Sequence, residues 1–487
     1  MPYILGIDQS TSGTKALIFD QNGDLVGRED RPHQQKISPE GWVSHDPEEI
    51  FENLLSAVSA VLERTKIDRN EVCAVGISNQ RETAAVWDRK TGKPAADAVV
   101  WHCARGMEIC RRLEAHKDSI YRRTGLPLSP YFSAAKIAWL LEHTGFKPEE
   151  LCAGTMDSYL IYRLTGGRSF RTDYSNASRT QLFHLEKLCW DEEICGLFGI
   201  PVSILPEVCD SDADFGSTDF QGLLPREVPI HGVLGDSQGA LLAQGCHEPG
   251  MVKATYGTGS SVMMNIGGKP VFSTHGLVTS LAWGLGGKKC YVLEGNINYT
   301  GAAIRWITDL GLISHPKESG KLASQANPED STYLVPAFTG LGSPYWDDNA
   351  KAAFIGMTRT TGRAELVKAA EDSIAYQIAD VLAAMEQDTG IPVSLLRADG
   401  GPSRDSYLMQ FQSDILNLPV AAPEREELSG LGAAFCAGIA AGVYSKEIFQ
   451  TVRRSRFLPV MEAALRWKKR EGWKQAVETL LTRPGTK

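Results

Sequence analysis

At 487 residues the chain is too long for one compact core and calls for about two to three domains. With 43% hydrophobic and 22% charged residues it has the make-up of a globular enzyme or binding protein, and a net charge of -9 with no compensating basic block excludes nucleic acid as its main partner. Asp8 interrupts the first apolar run with no basic start before it, and the Ala/Gly-rich run 431–444 is too short to cross a bilayer, so neither a signal peptide nor a membrane partner is expected and the protein is placed in the cytoplasm. Ten cysteines without a Cys-x-x-Cys pair read as reduced, mostly packed thiols.

In chain order, Ile4-Leu5-Gly6-Ile7-Asp8 predicts a strand, Gln9-Ser10-Thr11-Ser12-Gly13 a phosphate-sized turn, and residues 14–20 with Asn22-Gly23 the rest of a hairpin. Ser10, Thr11 and Ser12 supply hydroxyls, Lys15 supplies a cation, and Asp8 at the strand end suits a magnesium ion held through water. Taken alone, the same residues equally suit an ordinary polar hairpin. Asp46-Pro47-Glu48-Glu49 predicts a helix start, with Ile50, Leu54, Val58 and Val61 carrying its apolar face through Leu62. Strands are expected over 72–77 and 83–87, with the charged Arg81-Glu82 pair between them, and helices over 134–143 and 157–164.

Val233-Leu234-Gly235 then leads into Asp236-Ser237-Gln238 and an Ala/Leu-rich helix, which sets Asp236 at a helix start where a carboxylate stays ionised. The break at 246–250 divides the chain into domains 1–246 and 247–487. The second half repeats the theme. Strands over 252–255 and 261–265 flank a second phosphate-sized turn, Gly257-Thr258-Gly259, and helices are expected over 300–309 and 364–384. Gly400-Gly401 with Asp405 forms a third small-residue element, suited to close approach of backbone to a ligand. The basic run 466–470 reads as a solvated helix face, and the Ala/Gly-rich 431–442 as a close-packing helix, within the monomer or between subunits.

Together with Gly41-Trp42-Val43-Ser44-His45-Asp46-Pro47, Ser78-Asn79-Gln80-Arg81-Glu82-Thr83, Val100-Trp101-His102, Pro130-Tyr131-Phe132, Thr172-Asp173-Tyr174-Ser175-Asn176 and Pro336-Ala337-Phe338-Thr339-Gly340, these segments resemble the FGGY carbohydrate kinases, closest to the glycerol kinase branch, from residue 3 to about residue 445. The resemblance implies two actin-like (ribonuclease H-like) α/β domains with ATP, Mg2+ and a small polyol or ketose in the cleft between them. The first domain would carry the acceptor site and catalytic base, the second the nucleotide. It implies that Asp236 is the base, that Asp8 attends the metal, and that Ser10, Thr11, Ser12, Lys15, Gly257, Thr258 and Gly259 cradle phosphates, with Gly400, Gly401 and Asp405 at the adenosine. Arg81, Glu82, Trp101, Tyr131, Asp236 and Gln238 match or adjoin the polyol contacts. Read without the family, Asp236 also fits a helix cap, Arg81 and Glu82 a structural ion pair, and Trp101 a core aromatic. Relatives are often homodimers or homotetramers, and a homo-oligomer is expected here.

Several positions depart from the family pattern. Ser237 stands where glycerol kinases have Gln, and Ser261 where they have the Phe that closes a small aromatic sandwich around a three-carbon substrate. Both fall in the acceptor pocket, so the expected acceptor is a four- or five-carbon polyol or ketose such as xylulose, ribulose or a tetritol, with glycerol as the alternative. Phe220-Gln221-Gly222-Leu223-Leu224-Pro225-Arg226 lacks the Gly/Arg loop that binds a sugar bisphosphate inhibitor in many bacterial relatives. Glu371, on a predicted helix where the family is apolar, reads as a surface variation. The competing reading of another class is an actin-like ATP-binding sugar sensor that transfers no phosphate.

Overall fold

The computed structural model describes residues 1–482. Its first half is built on a six-stranded mixed sheet in the spatial order Ser217–Thr218, Val228–Gly235, Val72–Asn79, Tyr3–Gln9, Gly13–Phe19, Leu25–Pro32. Tyr3–Gln9, Val72–Asn79 and Val228–Gly235 run parallel, while Gly13–Phe19 returns antiparallel through the expected hairpin. The second half repeats this plan around Met251–Tyr256. That strand pairs parallel with Leu395–Gly400 on one side and antiparallel with Ser260–Gly267 on the other, inside a seven-stranded sheet. A smaller five-stranded sheet, including Ala84–Asp88 and Leu151–Thr155, extends the first half.

Local chemistry sets the elements. Helix Pro47–Thr65 starts where Asp46 accepts the Glu48 N–H at 3.0 Å with Pro47 just inside, and its apolar stripe of Ile50, Leu54, Val58 and Val61 is fully buried. Helix Leu428–Ala440 belongs to the second half of the chain yet packs on three strands of the first sheet and on helix Asp236–Ala243. Small residues make this possible: a Cβ on Gly432 would stand 1.9 Å from the Gly239 carbonyl oxygen, and one on Gly76 or Gly232 would strike the Ala433 carbonyl. The Ala/Gly composition of this helix therefore serves packing inside the monomer.

Two expectations fail. Glu371 is buried, 2% exposed, on the inward side of helix Arg363–Thr389, and burial pushes its carboxyl up to about 8. It is no surface variation: the helix spans the core of the second half, and nearly every turn of it faces protein. The basic run is only partly solvated, because helix Ala463–Leu480 docks through Trp473, which turns Lys469 inward onto the Pro328 carbonyl and brings Arg470 to 3.7 Å from Asp380. Among the described residues no helix is long and apolar enough to cross a membrane.

Candidate active site

Register alone gathers most of the candidate residues. Asp8, Ser78 and Leu234 lie side by side on the three parallel strands of the first sheet, so the strands end together at Gln9, Asn79 and Gly235. The residues just past those three ends therefore share one carboxyl edge: the Ser10–Thr11–Ser12 turn, Arg81 with Glu82, and Asp236. In the second sheet Tyr256 pairs with Gly400, which sets the Gly257–Thr258–Gly259 turn beside the Gly400–Gly401 turn. Carboxyl edges of parallel strands are where open α/β sheets bind ligands.

The residues expected at the acceptor form a buried chain of charges that crosses between the halves. Arg81 meets Glu294 through two hydrogen bonds, each 3.0 Å, and its Nε lies 3.3 Å from Asp236 Oδ1. Glu82 accepts from Arg179 at 2.5 Å, and Arg179 in turn reaches Glu294 at 3.0 Å. Burial pushes the Glu294 carboxyl up, but the Arg179 and Arg81 guanidiniums outweigh it and hold the group well below the usual carboxylate range. Glu82 adopts φ +60°, a costly conformation for a non-glycine residue, in a turn held by the Ser133 hydroxyl donating to its carbonyl. Arg81 and Glu82 are thus ion-paired, though not with each other.

Asp236 opens helix Asp236–Ala243, with Gly235 as the cap residue, so the cap reading of Asp236 does not hold. Its carboxylate is 36% exposed, more open than the ions around it, and accepts the Ser237 N–H at 2.6 Å. Gln238 turns inward, receiving Arg81 at 3.5 Å and donating to the Leu281 carbonyl at 3.3 Å. Trp101 is half-buried rather than core, stacks edge-on against Tyr131 at 5.4 Å, and donates from Nε1 to Thr11 Oγ1 at 3.0 Å, linking the acceptor side to the first phosphate turn. Lys136 pins the Tyr131 loop by donating to the Pro130, Tyr131 and Phe132 carbonyls. Ser261 is half-buried, its hydroxyl donating to Glu294 Oε1 at 3.1 Å.

On the phosphate side, Ser12, Gly257 and Thr258 are exposed, and Gly259 and Gly400 lie too close to backbone for any side chain: a Cβ would stand 2.3 Å from the Ile297 carbonyl oxygen in the first case and 2.0 Å from that of Tyr256 in the second. Gly400 also has φ +91°. Lys15 does not stand free for phosphate; it bonds Glu427 at 2.7 Å and Asp8 at 3.4 Å. Asp8 is 5% exposed, and burial, with the charges of Glu427 and Asp236 adding and Lys15 opposing, pushes its carboxyl up to about 6. Such a crowded acid fits a bound cation, which would relieve both effects. Asp405 caps helix Ser406–Leu416, accepting the Tyr407 and Leu408 N–H groups at 2.8 and 3.2 Å.

Four residues central to this geometry receive no role from the sequence. Glu294 carries a signal, a lone acid in the apolar run Tyr291-Val292-Leu293, and Arg179 lies inside a segment rich in hydroxyls and amides. Lys136 and Glu427 carry none.

Residues 3–243 match the family model described as the FGGY family of carbohydrate kinases, N-terminal domain, and residues 252–441 its C-terminal domain. The chain is 47% identical to glycerol kinase 1 of Thermotoga maritima, over 99% of this chain and 100% of that one, and 43% identical to the glycerol kinase of Bacillus licheniformis, over 98% of each. Among solved structures, Plasmodium falciparum glycerol kinase with ADP superposes with a TM-score of 0.94 at 34% identity, covering 99% of both chains. The repeated actin-like halves and the shared carboxyl edge thus have a family: this chain belongs to the FGGY carbohydrate kinases, phosphotransferases with an alcohol group as acceptor.

Proposed function

We propose that the protein transfers the γ-phosphate of ATP to a primary hydroxyl of glycerol, giving glycerol 3-phosphate and ADP. The observation that carries the acceptor is full-length identity of 43–47% to chains named glycerol kinase, which favours the three-carbon alternative over the longer sugar or polyol expected from Ser261. In this reading Asp236 takes the hydroxyl proton as that oxygen bonds the γ-phosphorus and the bond to the bridging oxygen of ADP breaks. Arg81 and Glu82 orient the vicinal hydroxyls, Trp101 and Tyr131 pack the carbon chain, and Ser237, Gln238 and Ser261 complete the pocket. Ser10, Thr11, Ser12, Gly257, Thr258 and Gly259 donate to phosphates, while Gly400, Gly401 and Asp405 flank the adenosine. Lys15 acts first on Asp8 and Glu427. Asp8 would hold a magnesium ion, which when bound supplies neutralisation of phosphate charge. The division into 1–246 and 247–487, apart from the helix that crosses back, a homo-oligomeric state and a cytoplasmic location complete the proposal on the family resemblance.

The half-open Ser261 supports a second acceptor, a four-carbon polyol, since a hydroxymethyl leaves space that a ring would fill. ADP release measured against glycerol, erythritol, threitol, xylulose and ribulose separates the readings. Highest kcat/KM on glycerol bears out the first, highest on a tetritol the second, and release that no acceptor stimulates overturns both.

A further inference from the structure

The far end of helix Asp236–Ala243 opens onto a second, strongly basic cavity. Eight residues of helix separate it from the Asp236 edge, about 12 Å. The cavity, ≈ 350 Å³, is lined by His247, Arg397, Lys446, Arg454 and Arg456 together with Gln244. That volume falls within the range of about 300–1,000 Å³ of small-ligand sites.

Sheet register explains why the cations converge. Ala421 pairs with Arg397 on one side and with Arg456 on the other, so the two arginines share a sheet face across a residue with only a methyl group, about 10 Å apart at the backbone. Arg454, two residues before Arg456, projects from that same face. Its guanidinium donates to the Ala243 and Gln244 carbonyls at 3.3 and 3.0 Å, capping the helix end, and to Val452 at 2.7 Å. His247 leans edge-on against Phe449 at 4.5 Å and keeps one ring nitrogen on the Leu242 carbonyl.

The cavity cations form no ion pair, although the lining residue Gln244 donates to the Asp399 carboxylate at 3.1 Å and Glu248 acts on His247. Among the described residues none of Arg397, Lys446, Arg454 and Arg456 has a carboxylate within the 4.0 Å of an ion pair. The Nε atoms of Arg397 and Arg454 are buried without any hydrogen-bond partner. Burial first, then the neighbouring Arg397 and Arg456 charges, pushes Arg454 down to about 10, and Arg397 is lowered in the same way by burial and Arg456. Like charges held together in a concave, partly desolvated place are unfavourable unless an anion joins them.

We propose that this cavity is a binding site for a small phosphate-bearing anion, separate from the catalytic cleft. Arg397 and Arg456, two strands apart on one sheet face, line it together with Lys446 and His247, a donor set suited to a phosphate dianion rather than to a carboxylate alone. The site stands on this chain's own residues and does not depend on which acceptor is phosphorylated.

The test uses the full-length protein with its cleft saturated by magnesium, a non-hydrolysable ATP analogue and glycerol. Binding of radiolabelled inorganic phosphate is measured by equilibrium dialysis at constant ionic strength, then displacement by glucose 6-phosphate. Saturable binding of one phosphate per chain is expected, weakened about tenfold or more in Arg456→Glu and in Lys446→Glu, which place a carboxylate where the anion's charge would sit. Both positions are exposed, so the variants should turn over as the parent does without added phosphate, which verifies their folding. Tighter binding of the sugar phosphate identifies an ester as the occupant; equal or tighter binding of inorganic phosphate identifies the free ion. Absence of saturable binding to the cleft-blocked protein, or binding that both variants retain, overturns the proposal.

Discussion

Arg81 and Glu294 join the two halves of the molecule, the guanidinium of a loop in the first half gripping a strand carboxylate of the second through paired 3.0 Å hydrogen bonds. The pair is buried on both sides, 7% and 0% exposed, and Arg179 shares the same carboxylate. Removing the charge in Glu294→Gln takes away the carboxylate that both guanidiniums share, leaving Arg81 with Asp236 and Arg179 with Glu82. The expected loss is about 1.5–3 kcal/mol of stability, that of charged hydrogen bonds weakened inside a network that keeps other carboxylates, read by urea denaturation. A loss near zero would mean that water reaches the network and that Glu294 is not its electrostatic centre.

Asp236→Ala tests the base. The side chain is the most open of the charged groups at the acceptor edge, so its removal should spare the fold while lowering kcat by about 10²–10⁴-fold. Glycerol and ATP binding, followed by calorimetry, should be retained. Normal turnover in this variant would remove Asp236 from the chemistry.

Most of this edge is legible in the sequence because strand ends carry the candidate residues in contiguous motifs. Asp8, Arg81, Asp236, Gly257 and Gly400 all end or succeed apolar runs, and parallel register brings such ends together. The partners that hold them are not legible. Glu294 and Arg179 act through pairings across 213 and 97 positions in the chain, and no local pattern encodes those distances. Lys15 shows the same limit: its cation matches a phosphate turn, yet Glu427, from a segment folded back onto the first sheet, holds it. Glu371 looks like a surface residue by pattern and is not one, because helix Arg363–Thr389 is buried around most of its circumference and a polar residue there no longer marks the solvent face.

Glu371 offers its own experiment. Its carboxyl, pushed up to about 8 by burial, binds a proton more tightly folded than unfolded, so the fold is favoured at low pH and that advantage is lost as pH rises through about 8. Glu371→Leu cannot ionise. It should therefore gain stability relative to the parent steadily between about pH 5 and pH 8 and hold the gain above that, in thermal melts across pH. A pH-independent difference would mean that Glu371 is charged in the fold.

Ser261→Phe tests whether acceptor size is set at one position. The hydroxyl it removes donates to Glu294 at 3.1 Å, while the ring would fill the half-open space of the proposed acceptor pocket. Turnover on glycerol should persist and any turnover on tetritols should fall by about tenfold or more, the discrimination worth a small change of pocket volume. Equal losses on both acceptors would show that the serine supports the charge network rather than the pocket shape.

The crowding of Asp8 predicts a coupling between protons, stability and magnesium. Its carboxyl titrates near 3.8 when free and is pushed up to about 6 in the fold. The folded state then holds the proton more tightly: this contribution to stability is complete below the lower value and is lost as pH rises through the upper one. A shift of that size corresponds to about 3 kcal/mol between the two limits. Asp8→Asn keeps the shape and never ionises, so the stability difference between variant and parent should move in the variant's favour by about that amount between about pH 4 and pH 7, read by urea denaturation without metal. Magnesium works in the opposite sense on the parent, because a bound cation favours the ionised carboxylate. Magnesium should therefore stabilise the parent more at pH 7 than at pH 5, and should lose most of that pH dependence in Asp8→Asn. Identical magnesium responses in the two proteins would assign the metal to other groups.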